Sequence, residues 1–225
     1  MNVKPILVSV AVIASLTTYA QKMEVNNGYE KGWLEDGHKV GVWEYFGIYD
    51  TIDLKIDYDK GTLVYLKTDT SKFFIMLDSV WTYKSLKSYP RYIGSYARFY
   101  RILGQNLRYP VEARRKKIEK TVFLEFEVNR QGQIVNIIVL NDNAGYFTNE
   151  IINAFNLIPN IWLPANYNGK NVPSKFILPF YFKLSGRKQS LAYDENTLNS
   201  LEGRKLREIV ITAYLDQNET DANNR

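Results

Sequence analysis

Residues 107–140 read LRYPVEARRKKIEKTVFLEFEVNRQGQIVNIIVL, and the fold turns on this stretch. From Thr121 to Val128 apolar and polar residues alternate. Val122, Leu124, Phe126 and Val128 share one side, while Glu125 and Glu127 share the other. A period of two marks a half-buried strand. Asn129-Arg130-Gln131-Gly132 turns the chain, and Gln133–Leu140, rich in Ile and Val, is a second strand. Upstream, Pro110 stands where the first turn of a helix accepts it, so Val111–Lys117 reads as a short helix.

Working outward, Ser95 is placed to cap a helix running to about Leu107. Tyr96, Phe99, Tyr100, Leu103 and Leu107 fall on one face at three- and four-residue spacing. Thr148–Leu157 reads as another helix with Ile151, Ile152 and Phe155 inward. Trp162, just before Pro164-Ala165, is expected to anchor the second helix, Thr148–Leu157, to the sheet. Lys175–Leu184 is a third strand, with Phe176, Leu178, Phe180, Phe182 and Leu184 on one face. It contains Pro179, which cannot donate to a ladder, so the strand is expected at a sheet edge. Helices, a hairpin and an edge strand make an α+β domain of two layers.

Several of these segments together resemble the C-terminal domain of TonB proteins. They are the 107–140 run, Ile161-Trp162-Leu163-Pro164-Ala165, the Asn168-Gly169-Lys170 turn and the closing Pro179-Phe180-Tyr181-Phe182 strand. The resemblance spans Tyr92–Leu184. It implies a non-enzymatic coupling module, linked to TonB-dependent transmembrane transport as an energy transducer. Its partner would be an outer-membrane TonB-dependent receptor, whose TonB-box segment adds as a strand. On that reading the protein-binding edge is Lys175, Phe176, Ile177, Leu178, Pro179, Phe180, Tyr181 and Phe182, and an open edge also invites a homodimer. No long Pro/Lys-rich spacer precedes the domain, which sets the chain apart from membrane-anchored members that transmit force.

Before this domain, residues 21–84 read as antiparallel hairpins. Short aromatic runs alternate with Gly turns such as Glu35-Asp36-Gly37-His38 and Asp59-Lys60-Gly61. The stretches GWLEDGHKVGVWEYF and YDKGTLVYL resemble a variant of the MORN repeat. A plain antiparallel meander with Trp33 and Trp43 in its core gives the same strands. At the extreme N-terminus, Ile6–Leu16 is an apolar run of 11 residues, followed by Thr18-Tyr19-Ala20. That is the layout of a signal peptide over residues 1–20, cleaved after Ala20. A membrane-spanning helix wants about 20 apolar residues, so a retained inner-membrane anchor is the weaker alternative to a periplasmic, cell-envelope location.

Charge divides the chain. Glu24–Lys67 holds nine acids against five lysines, whereas Lys84–Lys120 holds eleven Lys/Arg against two Glu. The joint between the two units falls near Ser85–Arg91. Arg108, Arg114, Arg115, Lys116 and Lys117 form a basic patch suited to an anionic envelope surface, and a scaffold protein seated there is the alternative function. Export argues against nucleic acid as its partner.

Catalytic chemistry finds little support. The chain has no Cys and one His, His38, which removes thiolate metal sites, disulfides and His-rich centres. Asp50, Asp53, Asp57 and Asp59 lack the spacing of a calcium loop. Glu125 and Glu127 read as solubility charges, and Gly169-Lys170 lacks the rest of a phosphate loop. No cofactor is expected. The 185–225 tail carries one further segment, Glu208, Ile209, Val210, Ile211, Thr212 and Ala213. It resembles the stretch near the TonB box of outer-membrane receptors, and a plain fourth strand is the other reading. Its distance from Lys175–Leu184 lets it fold back over that edge. N-terminal sequencing of the exported protein is expected to begin at Gln21; an intact Met1 in the inner membrane would contradict the cleavage reading.

Overall fold

The computed structural model describes residues 21–185 and 194–214. The signal peptide expected at residues 1–20 lies outside them. Five strands come first: β1 (Lys22–Asn26), β2 (Glu30–Glu35), β3 (His38–Phe46), β4 (Ile52–Asp57) and β5 (Thr62–Leu66). A hairpin follows, β6 (Lys72–Leu77) and β7 (Val80–Ser85), then β8 (Arg91–Tyr92), helix α1 (Tyr96–Asn106) and helix α2 (Val111–Arg115). Next come β9 (Lys120–Val128), β10 (Ile134–Leu140), α3 (Thr148–Phe155) and the short β11 (Trp162–Leu163), β12 (Ala165–Tyr167) and β13 (Lys170–Val172). The long β14 (Ser174–Ser185), α4 (Glu195–Ser200), β15 (Arg204–Lys205) and β16 (Ile209–Tyr214) complete the described chain.

The first five strands form an antiparallel meander in sequence order. Its core is Trp43, Tyr45, Leu54 and Ile56. A Cβ on Gly32 would lie 2.4 Å from the Trp43 ring, so only glycine lets β2 pass beneath that indole. Adjacent residues point to opposite faces, and Trp33 is therefore 43% exposed instead of joining Trp43 in the core. Lys39 closes the core from the side: its ammonium sits 3.8 Å from the Trp43 ring centroid and 2.5 Å from Glu30 Oε2. Burial pushes the Tyr45 phenol well above its ordinary pKa.

The second sheet runs β10-β9-β14-β6-β7, with β15 and β16 also on β14. The hairpin β6–β7 thus leaves the 21–84 unit in which sequence reading placed it. Its signal was the turn Asp78-Ser79, both at positive φ, between two β-rich runs. Pairing of Ile75 with Ser174 and Phe74 with Lys175 fixes it to the start of β14.

Helices α1 and α3 lie on one face of this sheet. Ser95 Oγ accepts from the Arg98 amide at the start of α1, as a capping residue should. Phe99, Leu103, Ile151 and Phe155 pack against Val122, Leu124, Phe126, Phe176, Leu178, Phe180 and Phe182. Trp162 is the hub. Its ring lies 5.2 Å from Phe176, 5.5 Å from Phe126, 5.9 Å from Tyr92 and 6.3 Å from Phe99. Through these ring contacts it joins β9 and β14 to α1 at Phe99, not to α3, the helix that the sequence suggests. Gly132 holds it there: the Trp162 amide donates to Gly132 O at 3.0 Å, φ at Gly132 is +75°, and a Cβ would lie 2.0 Å from Trp162 O. The opposite face is not open, as a strict two-layer sandwich would leave it. Phe123 and Ile177 are buried there, and Gly203 on the return from α4 passes against Ile177.

One ion pair and one hydrogen bond tie the meander to α1. Arg98 Nη1 lies 2.9 Å from Glu30 Oε1, and Arg101 Nη1 donates to Tyr29 Oη at 2.9 Å. Truncating a buried aromatic typically costs about 3–5 kcal/mol. Trp162→Ala is expected to lose that much in chemical denaturation; an unchanged midpoint would remove Trp162 from the core.

Candidate functional site

The candidate binding strand is β14. Its buried face alternates with a second face carrying Lys175, Ile177, Pro179 and Tyr181. Along one side it pairs antiparallel with β9 through nine register pairs, Ser174↔Val128 to Phe182↔Lys120. The other side is divided among three neighbours. β6 takes Ser174 and Lys175, β15 takes Phe176 and Ile177 in parallel, and β16 takes Phe180–Ser185, also in parallel.

This corrects the expectation that Lys175–Leu184 is an edge strand. It is an interior strand, and Pro179 is tolerated for a different reason. Backbone polar groups alternate sides along a strand. Ile177 O accepts from the Leu206 amide, and Pro173 O accepts from the Met76 amide, so odd-numbered residues face the β6–β15–β16 side. The missing N–H of Pro179 faces that side too. There the register steps from Ile177↔Lys205 to Phe180↔Ile209, three residues on β14 against four on the tail. The extra tail residue makes a bulge opposite Pro179, where no ladder bond is due.

The tail strand is amphipathic. Ile209 and Ala213 are buried, Ile211 packs on the same core, and Val210, Thr212 and Tyr214 are exposed. Glu208 just before it is exposed. Tyr100 Oη accepts from the Arg207 amide at 2.9 Å, which pins the tail to α1. Burial pushes the Tyr100 phenol above its ordinary pKa.

The side chains of β14 are mostly committed. Phe176, Ile177, Leu178, Phe180 and Phe182 are buried, and Phe176 stacks on Phe126 at 5.2 Å. Lys175 Nζ lies 2.8 Å from Glu125 Oε1 and 5.1 Å from the Trp81 ring centroid. What β14 can offer a partner is its backbone. The basic patch sits apart, at the far end of the strand, where Tyr109 meets Phe182 ring to ring at 5.7 Å. Arg108, Arg114, Arg115 and Lys116 are exposed and Lys117 is half-buried. Arg108 donates to Gln105 O, Arg115 pairs with Glu112 at 3.6 Å, and Lys116 donates to Tyr146 Oη at 2.7 Å.

The acids weighed for calcium have other partners. Asp57 accepts from the Asp59 and Lys60 amides, which with the Lys60 ammonium hold its carboxyl below the usual range. Asp53 pairs with Lys67 at 3.2 Å, and Asp59 accepts from the Gly41 amide. His38 is exposed at the start of β3.

Residues 105–184 match the family model described as Gram-negative bacterial TonB protein C-terminal. The matched stretch begins inside α1 and ends at Leu184, so it holds β9, β10, α3 and β14 but neither the meander nor β16. It makes this part of the chain TonB-like. No family match supports the MORN-like reading of Gly28–Leu66. No curated protein and no solved structure matches the chain. Among the described residues no helix is long and apolar enough to cross a membrane.

Sequence reading missed Arg91 and the junction it organises. Arg91 lies in a two-residue strand at the end of the Ser85–Arg91 joint, where the sequence shows no role for it beyond its charge. Its neighbours come from segments with no sequence signal of proximity.

Proposed function

We propose that this chain is an exported, non-enzymatic TonB-like module that binds a segment of an outer-membrane receptor by strand addition to β14. Binding requires β16 to leave first. The observation that carries the reading is the parallel pairing of Phe180–Ser185 with Ile209–Tyr214. The segment nearest in character to a receptor's own TonB-box region occupies the very backbone groups a receptor strand would use. The TonB match over residues 105–184 supports the choice of partner. Main-chain hydrogen bonds supply affinity in this mode of recognition.

A tethered competitor has an effective concentration of order millimolar, so it lowers the apparent affinity of any incoming strand. It also keeps a long apolar strand from pairing with a second copy. A variant lacking Leu206–Arg225 is expected to bind a TonB-box peptide at least about tenfold more tightly than the full chain in fluorescence anisotropy. Alternatively it dimerises through the bared side of β14, seen by sedimentation. Equal peptide affinity with both proteins monomeric would overturn the proposal.

A further inference from the structure

The meander, the approach to α1, α1 itself and the tail converge on an open cavity of ≈ 460 Å³. Small-molecule sites span roughly 300–1,000 Å³. Phe73 and Tyr89, stacked at 5.1 Å, line it together with Tyr96 and Tyr100. These rings give it a flat apolar side.

Its charge is unbalanced. Arg91 lines the cavity and is 1% exposed. Its guanidinium donates to three backbone carbonyls: Nε to Tyr92 O at 3.3 Å, Nη1 to Asp53 O at 3.0 Å and Nη2 to Gly94 O at 3.3 Å. It lies 5.1 Å from the Tyr96 ring centroid. A guanidinium has five N–H donors, so two remain beyond these carbonyls, and the Tyr89 hydroxyl is close enough to interact with one of them. No carboxylate of the described residues pairs with it. A buried cation without a counter-charge is costly. The two acids in the wall are already engaged, Asp53 by Lys67 at 3.2 Å and Asp69 by Arg204 at 3.1 Å. Of two further cations of the wall, Lys205 has Glu202 near it, and Arg207 makes no ion pair at contact distance among the described residues. Burial lowers the Lys205 pKa, with the Glu202 carboxylate acting in the opposite direction.

We infer that this cavity is a binding site for a small organic carboxylate with a planar apolar body. The carboxylate pairs with Arg91 and Arg207, and the flat body lies along the tyrosine and phenylalanine rings. A carboxylate matches a guanidinium fork in two parallel hydrogen bonds. The rings and Arg91 lie outside the β14–β16 ladder, whereas Arg207 belongs to the tail just before β16, so the site is complete only while the tail is docked.

The full-length protein is titrated by NMR with phenylacetate, standing for a free acid, and with the dipeptide Ala-Phe, standing for a chain terminus. Phenylacetamide and inorganic phosphate are the controls. Saturable shifts at Arg91 Nε–H and at the amides of 204–207 are expected with at least one carboxylate, and the amide is expected to bind at least about tenfold more weakly. Arg91→Met removes bonds that hold three loops and can unfold the junction. The exposed Arg207→Ala is therefore the informative variant, expected to weaken binding about tenfold with the melting temperature kept. No saturable binding of either carboxylate, equal binding of the amide, phosphate binding as tightly as the carboxylate, or full affinity in Arg207→Ala would each overturn the assignment.

Discussion

β14 is a twelve-residue strand whose inner face is fully buried, and both of its sides must find hydrogen-bond partners. β9 satisfies one side over nine residues. The other side has no single partner of matching length, and the chain meets the need in pieces with β6, β15 and β16. Much of the remaining architecture follows from this. The hairpin β6–β7 is drawn out of the N-terminal unit to serve the first two residues. The tail must return parallel to β14, which requires a crossover. That crossover carries α4 and brings Gly203 against Ile177 on the face away from the helices. Pro179 occupies the one place on this side where no bond is due.

The neighbours of β14 are not held equally. β9 contributes Val122, Leu124, Phe126 and Val128, all fully buried, to the core beneath α1 and α3. β16 contributes Ile209 and Ala213, both at 8% exposure, and leaves every second residue in water. Fewer buried apolar contacts mean a lower free energy of local opening. β16 is thus held by fewer fully buried side chains than β9. A strand that completes the sheet with few fully buried side chains is the physical basis for proposing β14 as a guarded binding surface.

Much of this was legible in the sequence. The alternation of Thr121–Val128, the Ser95 cap and the α1 stripe each rest on contacts within a few residues, and their elements formed as read. Gly132 was visible as a turn, although its close approach to Trp162 O was not. The misreadings involve contacts between distant segments. Pro179 correctly signalled an absent ladder bond, but a bulge in the tail and a sheet edge leave the same mark in one strand's sequence. Trp33 and Trp43 look alike in the sequence, and only the bare Gly32 beneath one indole separates the buried ring from the exposed one. The junction cavity gathers segments from Ile48 to Arg207, and nothing local in any of them announces the others.

Native-state hydrogen exchange resolved along β14 tests the central claim most directly. Alternation points the Lys183 amide at β16 and the Phe180 and Phe182 amides at β9. If β16 is a detachable cover, Lys183 exchanges through an opening of clearly lower free energy than Phe180 and Phe182, in the free full-length protein. Equal protection of all three would mean that β16 opens only with the whole domain, and the guarded-strand account would fail.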